Sequence, residues 1–188
     1  GRYVAFESTA SGLDPGVADN NGASDVFVLD RDSGQLRLAS TVVGSPGQAR
    51  GGQQPALAGD GTRVAFSAVT ASSGRLDILV RNLGTQQQTS LATVLGGNAA
   101  TADLGAPSLS VDGSLLAFDG DAVADIYRVD LRTRELVLAS AGVAAACRSP
   151  KLARNGTAVA FECGGTPVAT QAVQKGAPLP GALVLLYD

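Results

Sequence analysis

An all-β chain built from one repeated unit is what this sequence predicts, and three observations carry the prediction. The first is a phrase written four times. "GRYVAF" opens the chain, and "LAGDGTRVAF" (57–66), "SVDGSLLAF" (110–118) and "ARNGTAVAF" (153–161) restate it. The second is turn chemistry. Asp60-Gly61, Asp112-Gly113 and Asn155-Gly156 sit between apolar runs, and such pairs supply the positive φ that a tight hairpin needs. The third is an absence, since no stretch shows a helical apolar period with caps.

Each element follows from alignment on Gly1, Gly61, Gly113 and Gly156. The turn leads into an apolar strand ending at Phe6, Phe66, Phe118 or Phe161. A second apolar strand comes next: "DVFVLD" (25–30), "DILVRN" (77–82), "DIYRVD" (125–130) and "LVLLYD" (183–188). Then come "QLRLAS" (35–40), "QQTSLAT" (87–93) and "ELVLAS" (135–140), after a polar turn. A strand opened by proline closes the cycle: "PALAGD" (55–60), "PSLSVD" (107–112) and "PKLARN" (150–155). The strands are near-continuous apolar runs, as expected of sheets covered on both faces. The turn glycines are 60, 52 and 43 residues apart, the shortest spacing being close to the ~40–45 residues of a four-stranded propeller blade. The fold expected is one domain, residues 1–188: a β-propeller segment of about four blades, each a four-stranded antiparallel sheet. The blades cover approximately 1–40, 55–93, 107–140 and 150–188, with the first and last incomplete. With no Met in the chain, it reads as an open part of a larger propeller.

Composition narrows the function. Hydrophobic residues make up 45% of 188, too many for a disordered segment. A net charge of −3 argues against nucleic acid, whose phosphates need a basic face. No apolar run reaches the ~20 residues of a membrane-spanning helix, so no membrane insertion is expected. The chain has no His, which removes the commonest general base, metal ligand and partner of a nucleophile. No G-x-S-x-G elbow, phosphate loop or dinucleotide fingerprint is present. A non-catalytic module without an organic cofactor is expected.

In an antiparallel meander the short Asp-Gly turns share one face, and the long segments 7–24, 41–53, 93–105 and 163–181 share the other. Long loops on a rigid repeat scaffold bind partners, so a protein or peptide is expected on the long-loop face. One of these loops, "DNNGASD" (19–25), gathers Asp19, Asn21 and Asp25 around Gly22. That set is either a calcium loop of oxygen donors or a run of turn residues beside a strand that opens with Asp. Asp119 and Asp121 are expected in a solvated turn. Cys147 and Cys163 each lie eight residues from Asn155. A hairpin centred there opposes them and allows a disulfide, whereas a one-residue register change sets them diagonally as free thiols. The disulfide implies an oxidising compartment, periplasmic or extracellular.

The unit P-x-x-x-x-[D/N]-G-x-x-x-A-F…D-[IV]-[FYL]-x-x-[DN]…L-x-x-[ST] resembles the TolB-type, WD-repeat-like propeller element of bacterial envelope proteins. The resemblance extends over nearly the whole chain. It departs in the fourth unit, where Leu183 stands in place of the opening Asp and no outer strand follows Asp188. It implies a binding or scaffold module of an exported bacterial protein. Such blades also accompany prolyl-oligopeptidase-type enzymes. The alternative it implies is therefore a propeller that gates substrate access to a peptidase domain outside this chain.

Overall fold

The computed structural model describes residues 1–70, 74–96, 103–120, 125–143, 145–164 and 183–186. Strands β1 (Tyr3–Ser8), β2 (Asp25–Asp30) and β3 (Gln35–Leu38) form the first unit, a three-stranded antiparallel sheet. The second is β6 (Gln53–Leu57), β7 (Arg63–Val69), β8 (Leu76–Asn82) and β9 (Gln88–Ser90), after an intervening hairpin of β4 (Thr41–Val42) and β5 (Ser45–Ala49). The third is β10 (Leu104–Leu109), β11 (Leu115–Gly120), β12 (Asp125–Asp130) and β13 (Leu136–Leu138). In both four-stranded units the strands pair in sequence order, all antiparallel. The fourth unit contains β14 (Cys147–Leu152), β15 (Val159–Cys163) and β16 (Leu183–Leu186).

Two elements depart from the expected meander. β16 runs parallel to β15, with Ala160 opposite Leu183 and Cys163 opposite Leu186, so the last sheet is not wholly antiparallel. A parallel partner needs a connection of a dozen residues or more, and residues 164–182 supply that length. The expected strand over 87–93 ends at Ser90 and turns into a short helix, α1 (Leu91–Leu95). The Ser90 Oγ accepts the Thr93 N–H at 3.3 Å, and Asp77 Oδ1 accepts that of Ala92 at 3.0 Å. Those caps satisfy donors that a continuing strand would have paired in a ladder.

The units pack side by side in chain order through Val and Phe from facing sheets. Val26, Val28, Val64 and Phe66 form one shared core, and Ala58, Ile78, Leu116 and Phe118 another. Phe66, Phe118 and Phe161 are at most 1% exposed. Phe6 is half-buried and stacks on Phe27 at 5.7 Å. The turn glycine has a second duty here. At φ +73°, a Cβ on Gly61 would lie 2.0 Å from the Tyr3 ring of the preceding unit. Gly156 meets Leu115 in the same way at 2.2 Å. Glycine at this repeat position therefore serves both the turn and the approach of neighbouring sheets.

The proline-bearing strands β6, β10 and β14, the inner strands of their units, each carry a bulge at the proline. The ladder slips by one residue between Gln53 and Ala56, between Gly105 and Ser108, and between Arg148 and Lys151. The residue before each proline has positive φ: Gln54 at 53°, Ala106 at 43° and Ser149 at 55°. Proline pushes its predecessor toward extended backbone, and a non-glycine residue in the left-handed region costs roughly 1–2 kcal/mol. Ala106→Gly is accordingly expected to stabilise the chain by about 0.5–1 kcal/mol, after the entropy glycine adds to the unfolded state. Urea melts of the two proteins, compared at equal m, measure this.

Candidate functional site

What the bulges do appears near the start of β6, β10 and β14. A residue in the left-handed region turns its N–H out of its own ladder, and in each of three cases the preceding unit supplies the acceptor. Glu7 Oε2 accepts the Gln54 N–H at 2.8 Å. Gln54 Oε1 accepts the Ala106 N–H at 3.0 Å, and also the Ser67 hydroxyl at 3.3 Å. Asp119 Oδ2 accepts the Ser149 N–H at 3.3 Å. The first and third acceptors directly follow the strand Phe, a position that reads Glu7, Ser67, Asp119 and Glu162 along the chain. The signal was present in the repeat, but nothing local said that this position faces a neighbour's backbone.

Asp119 corrects the expectation of a solvated turn. It lies within β11 and is half-buried, while Asp121 falls outside the described residues. Burial pushes its pKa up, and the Ser149 N–H pulls weakly the other way. An acid whose pKa is higher folded than unfolded holds its proton longer in the native state. Its contribution is therefore full below the ordinary carboxylate value and is lost as pH rises through the raised one. Asp119→Asn keeps an oxygen for Ser149 and removes the charge. Stability measured from about pH 4 upward should lose part of its downward slope in that variant; an unchanged slope would assign the titration elsewhere.

The loop over 19–25, open between a calcium site and a run of turn residues, has a definite internal structure. Asp25 is fully buried, and its Oδ1 accepts from the Ser40 hydroxyl at 2.5 Å and the Gly51 N–H at 3.0 Å. Its Oδ2 accepts from the Asn21 amide nitrogen at 2.8 Å, while Asn21 Oδ1 caps the Ala23 N–H at 2.7 Å. Asn21 thus offers Asp25 a donor, where a shared cation needs a second oxygen. Asp19 is half-buried. Chelator is expected to leave the melting temperature unchanged; a fall abolished by Asp19→Ala would assign calcium to the loop.

The Asp–Ser lock recurs. Ser90 donates to Asp77 at 2.5 Å and Ser140 to Asp125 at 2.6 Å, tying the end of the third strand to the start of the second. Above the first lock, two of the long loops join. Ala18 and Gln48 form a parallel bridge, with the Ala18 N–H on the Gly47 carbonyl at 2.8 Å. Segments 7–24 and 41–53 therefore make one platform on the long-loop face. The segments over 93–105 and 163–181 lie partly or largely outside the described residues.

Beside this face, Cys147 stands opposite Cys163 in the β14–β15 ladder, and the two are bonded as a disulfide. The pairing comes about in an unforeseen way. Next to the turn, Leu152 faces Val159 and Lys151 faces Ala160, a register that would set the cysteines diagonally. The bulge at Ser149-Pro150 then takes up one residue, and Arg148 faces Glu162 and Cys147 faces Cys163.

No protein-family model and no curated protein matches the chain. Solved structures share its fold. A TolB candidate from Agrobacterium tumefaciens superposes with a TM-score of 0.57 at 16% identity, over 80% of this chain and 46% of that one. The β-propeller domain of the Trilobed protease from Pyrococcus furiosus gives 0.50 at 15% identity, over 73% and 38%. Tricorn protease gives 0.52 at 13% identity, over 82% and 13%. The chain thus spans less than half the length of each. What these likenesses establish is the fold, one that this chain shares with TolB-type and protease propeller structures.

Proposed function

We propose that this chain is a non-catalytic propeller module that engages an extended polypeptide on its long-loop face and controls its access to a peptidase domain. The observation that carries the reading is the joined platform of segments 7–24 and 41–53, set over inner strands locked unit to unit. Such a scaffold positions loops rigidly while leaving bond chemistry to another domain. The β-propeller domain of one protease and the structure of a second protease among the neighbours support it. The buried disulfide favours an oxidising compartment, periplasmic or extracellular. A second reading, an exported scaffold that docks a folded partner, draws on the TolB-like neighbour.

The test uses the full-length protein that contains this chain. Under the gating reading it labels with a fluorophosphonate probe. Shortening the β4–β5 hairpin should then speed cleavage of a long polypeptide relative to a dipeptide substrate. A full-length protein with no fluorophosphonate-reactive serine would overturn gating and leave the scaffold reading.

A further inference from the structure

The opposite face, where the short turns lie, holds a feature that the long-loop reading does not use. Between the first and second units is a cleft of about 580 Å³, within the range that takes a small ligand. Its apolar walls are Tyr3, Val28 and Leu83, and its polar ones include Arg37, Thr62 and Asn82. Two carboxylates also line it, Asp30, which is paired with Arg2, and Asp60, which accepts the Thr62 N–H. Arg37 is exposed and donates to Gln35 Oε1 at 2.6 Å, a neutral partner. Among the described residues no carboxylate lies within ion-pair range of it, whereas Arg2 is held by Asp30 and Asp32.

The repeat supplies an internal comparison. The next cleft along, between the second and third units, is lined by the corresponding positions Arg63, Val80 and Thr89 and measures only about 160 Å³. Arg37 is paired across the ladder with Val28, and Thr89 likewise with Val80; the third unit has Val137 at this position, opposite Arg128. At this ladder position the first unit has a cation and the second and third do not. In the second, Arg63 occupies the place of Tyr3 and reaches across to the Gly113 carbonyl at 2.7 Å.

We propose that the first cleft binds a carboxylate attached to an aliphatic group, the carboxylate on Arg37 and the aliphatic group over Tyr3, Val28 and Leu83. A guanidinium with donors to spare is suited to a carboxylate, and the apolar walls are suited to a branched side chain. Two sources share this chemistry, a free small carboxylic acid and the carboxy-terminal residue of a peptide.

Titration of this chain with N-acetyl-leucine, followed by calorimetry or amide NMR shifts, tests the proposal. The expected dissociation constant is about 1 mM, typical of so small a ligand. N-acetyl-leucinamide and the Arg37→Gln variant should each weaken binding about tenfold or more, with Arg37→Lys between. Thr62→Trp, which fills the cleft and leaves Arg37 in place, should abolish it. Arg37 and Thr62 are both exposed, and circular dichroism checks that the variants remain folded. A heptapeptide ending in Leu that binds about tenfold tighter than N-acetyl-leucine identifies a peptide terminus as the source; equal affinity identifies the free acid. Absence of binding at 20-fold the expected constant would overturn the proposal, as would affinity indifferent to the amide or to Arg37→Gln.

Discussion

Replacing both Cys147 and Cys163 by Ser is expected to cost this chain about 3 kcal/mol, the chain-entropy value for closing a loop of this length. The two residues are 16 apart in sequence and at most 3% exposed. For a domain of this size the loss corresponds to roughly 6–12 °C in melting temperature. The substitution also places two hydroxyls among Ala117, Ile126, Val159 and Phe161, which deepens the loss. Cys147→Ala with Cys163→Ala separates the two effects, since it removes the crosslink without burying a polar atom. Thermal melts of the oxidised parent and both variants measure it. A double-alanine variant as stable as the oxidised parent would mean that the bridge follows from the fold without stabilising it.

Asp25→Ala should be comparably damaging, at about 3–4 kcal/mol. The carboxylate holds the Ser40 hydroxyl, the Gly51 N–H and the Asn21 amide. Removing it strands the Ser40 hydroxyl and the Gly51 N–H in a buried site, while the exposed Asn21 amide returns to water. Each buried donor left without a partner costs about 1–3 kcal/mol. Asp25→Asn retains one acceptor oxygen and should lose about half as much. Segment 41–53 is tied to the first unit through Gly51, so hydrogen exchange of Ser45–Ala49 should quicken in the alanine variant. Global destabilisation with that hairpin still protected would show that the lock serves the sheet and not the platform above it.

The second of these predictions rests on residues whose identity was plain and whose partners were not. The Asp opening the second strand was visible in three units, and so were the small hydroxyl residues ending the third strand: "LAS" at 38–40 and again at 138–140. That they bond to each other follows from an antiparallel ladder that brings strand start and strand end together. Asp119 shows the reverse case. Two carboxylates near a loop looked solvated, yet a neighbouring unit covers the first and gives it a backbone donor.

What the sequence by itself determined is the set of local events. Asp-Gly and Asn-Gly demand a hairpin because their backbone must reach positive φ, and Gly61, Gly113 and Gly156 lie at 73°, 65° and 73°. Apolar runs bounded by Asp and Asn define strands, and "DVFVLD" and "DIYRVD" coincide with β2 and β12 end to end. Tertiary structure decided whatever depends on a second unit. The bulge before each proline persists because a neighbour's Glu7, Gln54 or Asp119 accepts the N–H it turns outward. The direction of β16 was settled by its pairing with β15, since an apolar tetrapeptide fits a parallel or an antiparallel ladder equally well. Even the disulfide, anticipated from residue spacing, required that bulge to bring its two halves into register. Local preference acts over a few residues, whereas register and direction are set by hydrogen bonds between segments that the chain brings together only on folding.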